Sequence, residues 1–73
     1  MNKLKKIIKK YKKLSEKHAE LVMVLEEKGG KLSVVINGDE GVEYSDTLDV
    51  DVLEKLKTLL DRNSIEYYEP QRV

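Results

Sequence analysis

Side chains able to do acid–base or nucleophilic chemistry are unevenly represented in this chain. Histidine and cysteine are scarce or absent, whereas carboxylates are abundant. His18 is the single histidine, and the 73 residues contain no cysteine. One imidazole cannot build a multi-histidine metal site and leaves a Ser-His-Asp system no spare general base. The lack of cysteine excludes thiolate zinc sites, iron–sulfur clusters and disulfides. We therefore expect no catalytic residue, no metal site and no cofactor, and so a protein that is not an enzyme.

Carboxylates are abundant and concentrated. Seven fall within residues 39–54, which contain no Lys, Arg or His: Asp39, Glu40, Glu43, Asp46, Asp49, Asp51 and Glu54. Their spacing lacks the terminal glutamate of a twelve-residue calcium loop. Asp49 is expected to cap a helix. Because like charges this close repel unless a cation or a basic partner meets them, we expect the other six to bind a basic protein surface. Residues 39–54 are called the acidic segment below.

Lysines dominate the opposite end of the chain. Residues 1–18 carry a net charge of +7 and the rest of the chain −7, although the total is zero. On a helical wheel, four of the lysines point away from the apolar stripe: Lys5, Lys9, Lys12 and Lys13. Such a face suits sequence-independent contact with phosphates, because it lacks the arginines that read base edges. Its apolar side carries no Trp or Phe anchor, so no membrane partner is expected. The alternative is a solvated surface without a ligand.

The elements that position these charges can be predicted from periodicity. Helical spacing is kept by five residues: Leu4, Ile7, Ile8, Tyr11 and Leu14. They predict an amphipathic helix over residues 2–18, with His18 at its weakening end. Residues 20–27 and 31–37 flank Gly29 and predict a β-hairpin. The alternative is one continuous helix over residues 2–28 that ends at this glycine, with a smaller sheet.

The second half of the chain continues the sheet and then changes period. Residues 42–47 predict a third strand of a β-meander, and residues 50–62 predict a second amphipathic helix. Residues 65–68 predict a short strand at the sheet edge. Tyr67 and Tyr68 must point to opposite faces of that strand, so only one can join the core. The predicted fold is therefore a single small α+β domain over residues 1–73, with an antiparallel sheet packed against two helices.

This layout, with the acidic segment leading into the second helix, resembles small phage-encoded inhibitor proteins of the anti-CRISPR type that act by DNA mimicry. The resemblance implies that the carboxylates stand in for phosphates. They would then occupy the basic groove of a host nuclease or of another nucleic-acid-binding protein.

Three functions follow from these observations. The first is a non-enzymatic protein-binding inhibitor that acts through the acidic segment. The second is a binder of nucleic acid or another anionic surface through the lysine face. The third is a structural or self-associating protein, for example a homodimer. No apolar run approaches the roughly 18 residues that a membrane-spanning helix needs, and residues 1–18 lack the features of a secretory signal, so we expect a cytoplasmic location.

Overall fold

The structure, a computed structural model, describes residues 3–70 and has the predicted α+β architecture. Its elements in chain order are α1 (Lys3–Ser15), β1 (Val22–Lys28), β2 (Lys31–Gly38), β3 (Gly41–Asp49), a 3-10 turn (Val50–Val52), α2 (Leu53–Arg62) and β4 (Tyr67–Tyr68). No helix within residues 3–70 is long and apolar enough to cross a bilayer. Both predicted helices are confirmed, although the first ends three residues early and the second opens with the 3-10 turn.

The predicted hairpin forms, and the continuous helix over residues 2–28 is wrong. β1 pairs antiparallel with β2, from Val22 opposite Asn37 to Lys28 opposite Lys31. Gly29 and Gly30 take positive φ angles of 54° and 78° between the two strands, a conformation that glycine adopts without steric cost. Helix α1 ends well before this turn because the β-branched residues that follow favour extended pairing in a sheet.

The four strands form a mixed sheet in the order β3-β2-β1-β4. The predicted antiparallel pairing is confirmed for β1, β2 and β3, but β4 runs parallel to β1. Its direction follows from the connection, because α2 carries the chain back along the sheet and β4 must then run in the direction of β3. That direction is also the direction of β1, which is two antiparallel steps away.

The core lies between the helices and one face of the sheet. Of the residues in the range 3–70, thirteen apolar side chains are buried there: Leu4, Ile7, Ile8, Leu14, Met23, Leu25, Leu32, Val34, Ile36, Leu48, Leu56, Leu60 and Ile65. Tyr11, predicted on the apolar stripe of the first helix, and Leu53, on the apolar side of the second, are only partly buried and pack against the margin of the core. Tyr67 also packs against the core, whereas Tyr68 is 70% exposed, as expected for neighbours on a strand.

The opposite face of the sheet carries the side chains that alternate with the buried ones. We call it the open face, because its side chains are exposed or half-buried and both helices pack against the other side. Val22 and Val42 reach it through their pairing with Asn37, and Tyr68 reaches it opposite Val24.

Candidate functional site

The acidic segment follows an edge of the sheet. β3 is the outermost strand, and no other strand within residues 3–70 pairs with its outer side. Asp39 and Glu40 are exposed in the turn before β3, while Asp51 and Glu54 are exposed beyond its other end. Nine residues of strand separate these two groups by about 30 Å. The segment is therefore an extended line of carboxylates rather than a compact cluster.

The carboxylates within β3 turn toward different neighbours. Glu43 Oε1 lies 3.5 Å from His18 Nε2, and Asp46 Oδ2 accepts a 3.3 Å hydrogen bond from the Tyr44 hydroxyl. Asp46 lies on the helix side, because it pairs with the buried Val34, and Asp49 lies on the open face. Burial first, and then the Asp46 charge, raise the pKa of Tyr44. These three carboxylates do not share one surface.

Asp49 has a different role from the predicted helix cap. It occupies the N-cap position of the 3-10 turn, but its side chain makes no capping hydrogen bond. Its Oδ1 instead accepts a 2.8 Å hydrogen bond from Lys31 Nζ, because the register of β2 and β3 places the two residues opposite each other. This hydrogen bond and charge pair lower the pKa of Asp49 and raise that of Lys31, and Lys3 adds a smaller attraction to Asp49.

Three carboxylates of the predicted acidic site make neither an ion pair nor a hydrogen bond with any residue in the range 3–70: Asp39, Glu40 and Asp51. Glu54 lies 3.8 Å from Lys57, whose closer partner is Glu69 at 2.8 Å. The hydrogen bond to Glu69 raises the pKa of Lys57. That the acidic segment is a binding surface thus stays a prediction. The carboxylates that support it lie mainly at the two ends of the segment.

His18 occupies a structural position. Its half-buried ring lies between the end of α1 and the β2–β3 hairpin, beside Glu43 and Gly38. A Cβ at Gly38 would come within 2.8 Å of Glu43 Cγ and 3.3 Å of His18 Nδ1, so this contact depends on glycine. Across the described part of the chain, no three His, Asp or Glu side chains converge as a metal site requires.

The lysine face forms one wall of a groove between α1 and α2. Two adjoining depressions of about 360 and 310 Å³ share Lys5 and Leu59, and Leu4 and Ile8 complete their apolar floor. Basic side chains from both helices surround this floor: Lys5, Lys9 and Lys12 from α1, and Lys55 and Arg62 from α2. We call these five residues and the floor between them the basic groove.

The basic groove contains three lysines that the sequence predicted as a binding face and two basic residues that were not predicted. Lys5, Lys9 and Lys12 recur on one flank of α1 and line the groove, whereas Lys13 does not line it. Lys55 and Arg62, which are seven positions apart and so share a helix face, were overlooked. Their spacing on either side of Leu59 was a usable signal, but it did not show which face meets α1.

None of the five cations of the basic groove has an acidic partner among residues 3–70. None lies within 4 Å of a carboxylate belonging to residues 3–70. The two polar residues that also line the groove donate hydrogen bonds to backbone carbonyls. Thr58 Oγ1 donates to the carbonyl of Glu54, and Asn63 Nδ2 donates to that of Leu59. Five cations that lack a carboxylate partner within the described part of the chain surround an apolar floor, and together they produce a positive potential that attracts anions.

No family model, curated protein or solved structure matches this chain. The features of the molecule that bear on its function are its two charged surfaces, the acidic segment and the basic groove.

Proposed function

We propose that this protein is a non-enzymatic nucleic-acid-binding module that holds phosphates in the basic groove without reading sequence. The observation that carries the proposal is the convergence of five cations from two helices, none of them paired with a carboxylate among residues 3–70. The acidic segment does not converge in this way. A cytoplasmic location, where nucleic acid is accessible, is the one that this function implies.

The spacing of the lysines suits a phosphate backbone. Along the axis of α1, Lys5 and Lys9 are about 6 Å apart, and Lys9 and Lys12 about 4.5 Å apart. Phosphates of one strand advance about 3.4 Å per nucleotide along a duplex axis. Neighbouring lysines can therefore meet neighbouring or alternate phosphates.

Nucleic acid fits this groove better than a membrane surface does. Leu4 and Ile8 are buried and Leu59 is half-buried against the core, so the floor offers no fully exposed apolar side chain that could insert between lipids. No aromatic residue lines either depression of the groove. Only one of the five cations, Arg62, presents the planar fork of donors that matches a base edge, whereas the four lysines act as point charges. Affinity should therefore be similar for nucleic acids of unrelated sequence.

The test compares two triple variants that lose the same charge from the same helix. Binding of labelled duplexes and single strands of unrelated sequence is followed by fluorescence anisotropy. Lys5→Gln, Lys9→Gln and Lys12→Gln together remove the α1 wall of the groove, and we expect affinity to fall more than about 100-fold at 0.1 M salt.

The matched control is the combination Lys6→Gln, Lys10→Gln and Lys13→Gln, which changes α1 outside the groove. We expect it to retain most of the affinity. Equal losses in the two triples would show that binding follows total charge and not the groove. Absence of binding by the unaltered protein at low salt would also contradict the proposal.

A second candidate function is supported by the two ends of the acidic segment. Asp39 and Glu40 are exposed at the hairpin tip without a partner among residues 3–70, and the outer edge of β3 beside them is unpaired over the same range. We propose as the alternative that this edge binds a basic protein surface in place of a phosphate backbone, as an inhibitor would. This is the function that the resemblance to DNA mimics implies.

The acidic alternative is tested by reversing the two carboxylates at the hairpin tip. Asp39→Lys and Glu40→Lys leave the contact between Glu43 and His18 untouched, so the fold should persist. The expected result is loss of an isolated basic nucleic-acid-binding protein from pull-downs, while the Lys5, Lys9 and Lys12 triple still captures it. Capture that survives the reversal would contradict this function.

A further inference from the structure

The basic groove continues beyond Leu4 into a third depression. This depression has a volume of about 440 Å³ and shares Leu4 and Lys55 with the neighbouring part of the groove. Lys3 lines it from α1 and Lys55 lines it from α2. Neither lysine lies within 4 Å of a carboxylate belonging to residues 3–70. The positive potential of the groove therefore extends into the third depression.

The third depression is bounded by the end of β3 and by the 3-10 turn. Three of its lining residues are apolar: Leu4, Leu48 and Val52. Thr47 and Asp49 of β3 line it as well. Because the 3-10 turn connects β3 to α2, the depression lies where the groove meets this connection. Asp49 is the one carboxylate among these lining residues, and the hydrogen bond from Lys31 Nζ offsets its charge.

A carboxylate that lacks a partner within the described part of the chain lies beyond this end of the groove. Asp51 follows Asp49 in the 3-10 turn and is exposed. It makes neither an ion pair nor a hydrogen bond with any residue in the range 3–70. A row of phosphates that continued past Lys3 would approach Asp49 and Asp51, and like charges repel. The charges therefore favour a strand that ends in the third depression over one that passes through it.

We propose that the third depression binds the terminal phosphate of a nucleic-acid strand that lies in the basic groove, an inference that rests on the proposed function. A terminal phosphate monoester carries a charge of about −1.5 to −2 at neutral pH, whereas an internal phosphate carries a single negative charge. Lys3 and Lys55 belong to different helices and can contact the same phosphate from two sides. A terminal phosphate therefore gains more from this pair of lysines than an internal one does.

The spacing of the lysines allows terminal and internal phosphates to be bound together. Lys3 and Lys12 are about 13.5 Å apart along the axis of α1. Successive phosphates of a stacked strand advance by about 3.4 Å, so this distance covers about five phosphates. A terminal phosphate beside Lys3 is therefore compatible with internal phosphates beside Lys5, Lys9 and Lys12 on one short strand.

The test compares single strands of one sequence, about 12 nucleotides long, that differ only in their ends. One carries a 5′-phosphate, one a 3′-phosphate and one hydroxyl groups at both ends, and each competes unlabelled against a labelled strand in anisotropy titrations. We expect at least one phosphorylated strand to bind about 5-fold more tightly than the hydroxyl-ended strand at about 0.1 M salt, because one added contact contributes about 0.7 to the salt slope. The strand that gains affinity identifies the end that the depression binds. Equal affinities of all three strands would overturn this inference alone, whereas absence of binding by every strand would contradict the proposed function as well.

Lys3→Gln tests whether the third depression causes this preference. Lys3 lines the third depression but not the other two, so the variant should bind all three strands equally and keep its affinity for the hydroxyl-ended strand. The matched control, Lys13→Gln, removes the same charge from α1 outside the groove and should retain the preference. Gln has nearly the helix propensity of Lys, and circular dichroism verifies that both variants are folded. A preference that survives Lys3→Gln, or that both variants lose equally, would overturn the inference.

Discussion

Raising the salt concentration should weaken nucleic-acid binding by an amount that the number of cations in the basic groove determines. Each cation that neutralises a phosphate contributes about 0.9 to the slope of log K against log salt on a duplex and about 0.7 on a single strand. Five groove cations therefore predict slopes of about −4.5 and about −3.5. Between about 50 and 200 mM salt, affinity for a duplex should fall by about 500-fold, and affinity for a single strand by about 130-fold.

The slope also identifies the residues responsible. The combination of Lys5→Gln, Lys9→Gln and Lys12→Gln leaves two groove cations, Lys55 and Arg62, so the duplex slope should shrink to about −1.8. The triple at Lys6, Lys10 and Lys13 removes equal charge outside the groove and should keep a slope near −4.5. Gln has nearly the helix propensity of Lys, so α1 should remain folded in both variants.

The assay is a set of anisotropy titrations of one labelled duplex and one labelled single strand at five or more salt concentrations. Circular dichroism of each variant verifies that the helices are intact. A slope near zero for the unaltered protein would refute phosphate binding in the basic groove, because phosphate contacts would then be absent. Equal reductions of the slope in the two triples would also refute it, because the lysines would then act as a diffuse surface.

Three further predictions concern the fold. Leu56→Ala should lower the free energy of unfolding by about 2–5 kcal/mol in urea titrations, because this side chain is fully buried; a cost below about 1 kcal/mol would contradict its place in the core. Gly38→Ala should cost about 1–3 kcal/mol through its contact with Glu43 Cγ, and Glu43→Ala in the same chain should recover most of that loss. The ion pair of Lys31 with Asp49 lowers the pKa of Asp49, so its contribution to stability is complete above about pH 4 and is lost as pH falls through the lowered pKa. Urea midpoints between about pH 2 and 6 should therefore depend less on pH in Lys31→Gln, and identical profiles would show that the pair contributes nothing.

Asp49 shows where a local rule was overridden. A carboxylate just before a helix is a good cap by sequence, and Asp49 does stand at the N-cap position. The strand register, however, brings Lys31 from 18 positions away to within 2.8 Å of it. An ammonium group competes successfully with a backbone N–H for the same carboxylate oxygen. No sequence pattern within a few residues of Asp49 indicates that Lys31 is its partner.

The candidate site likewise combines local features that can be predicted from the sequence with a tertiary arrangement that cannot. Lys5, Lys9 and Lys12 could be assigned to one face from their spacing, because a helix fixes the direction of each side chain about its own axis. Lys55 and Arg62 could be placed on one face of α2 in the same way. That the two faces meet around Leu59 depends on how α1 and α2 lie together on the sheet, so the basic groove did not emerge from either helix alone.

The sequence by itself determined the two amphipathic helices, the pairing of β2 with β3 and the opposite faces of Tyr67 and Tyr68, whereas it left residues 20–27 open between a strand and an extension of the first helix. These features depend on periodicity and turn residues, which act over a few positions. Only the tertiary structure decided the parallel direction of β4, the spread of the acidic segment along an edge, and the union of basic residues from α1 and α2. Each of these depends on which elements become neighbours, and that is set by burial of the common core.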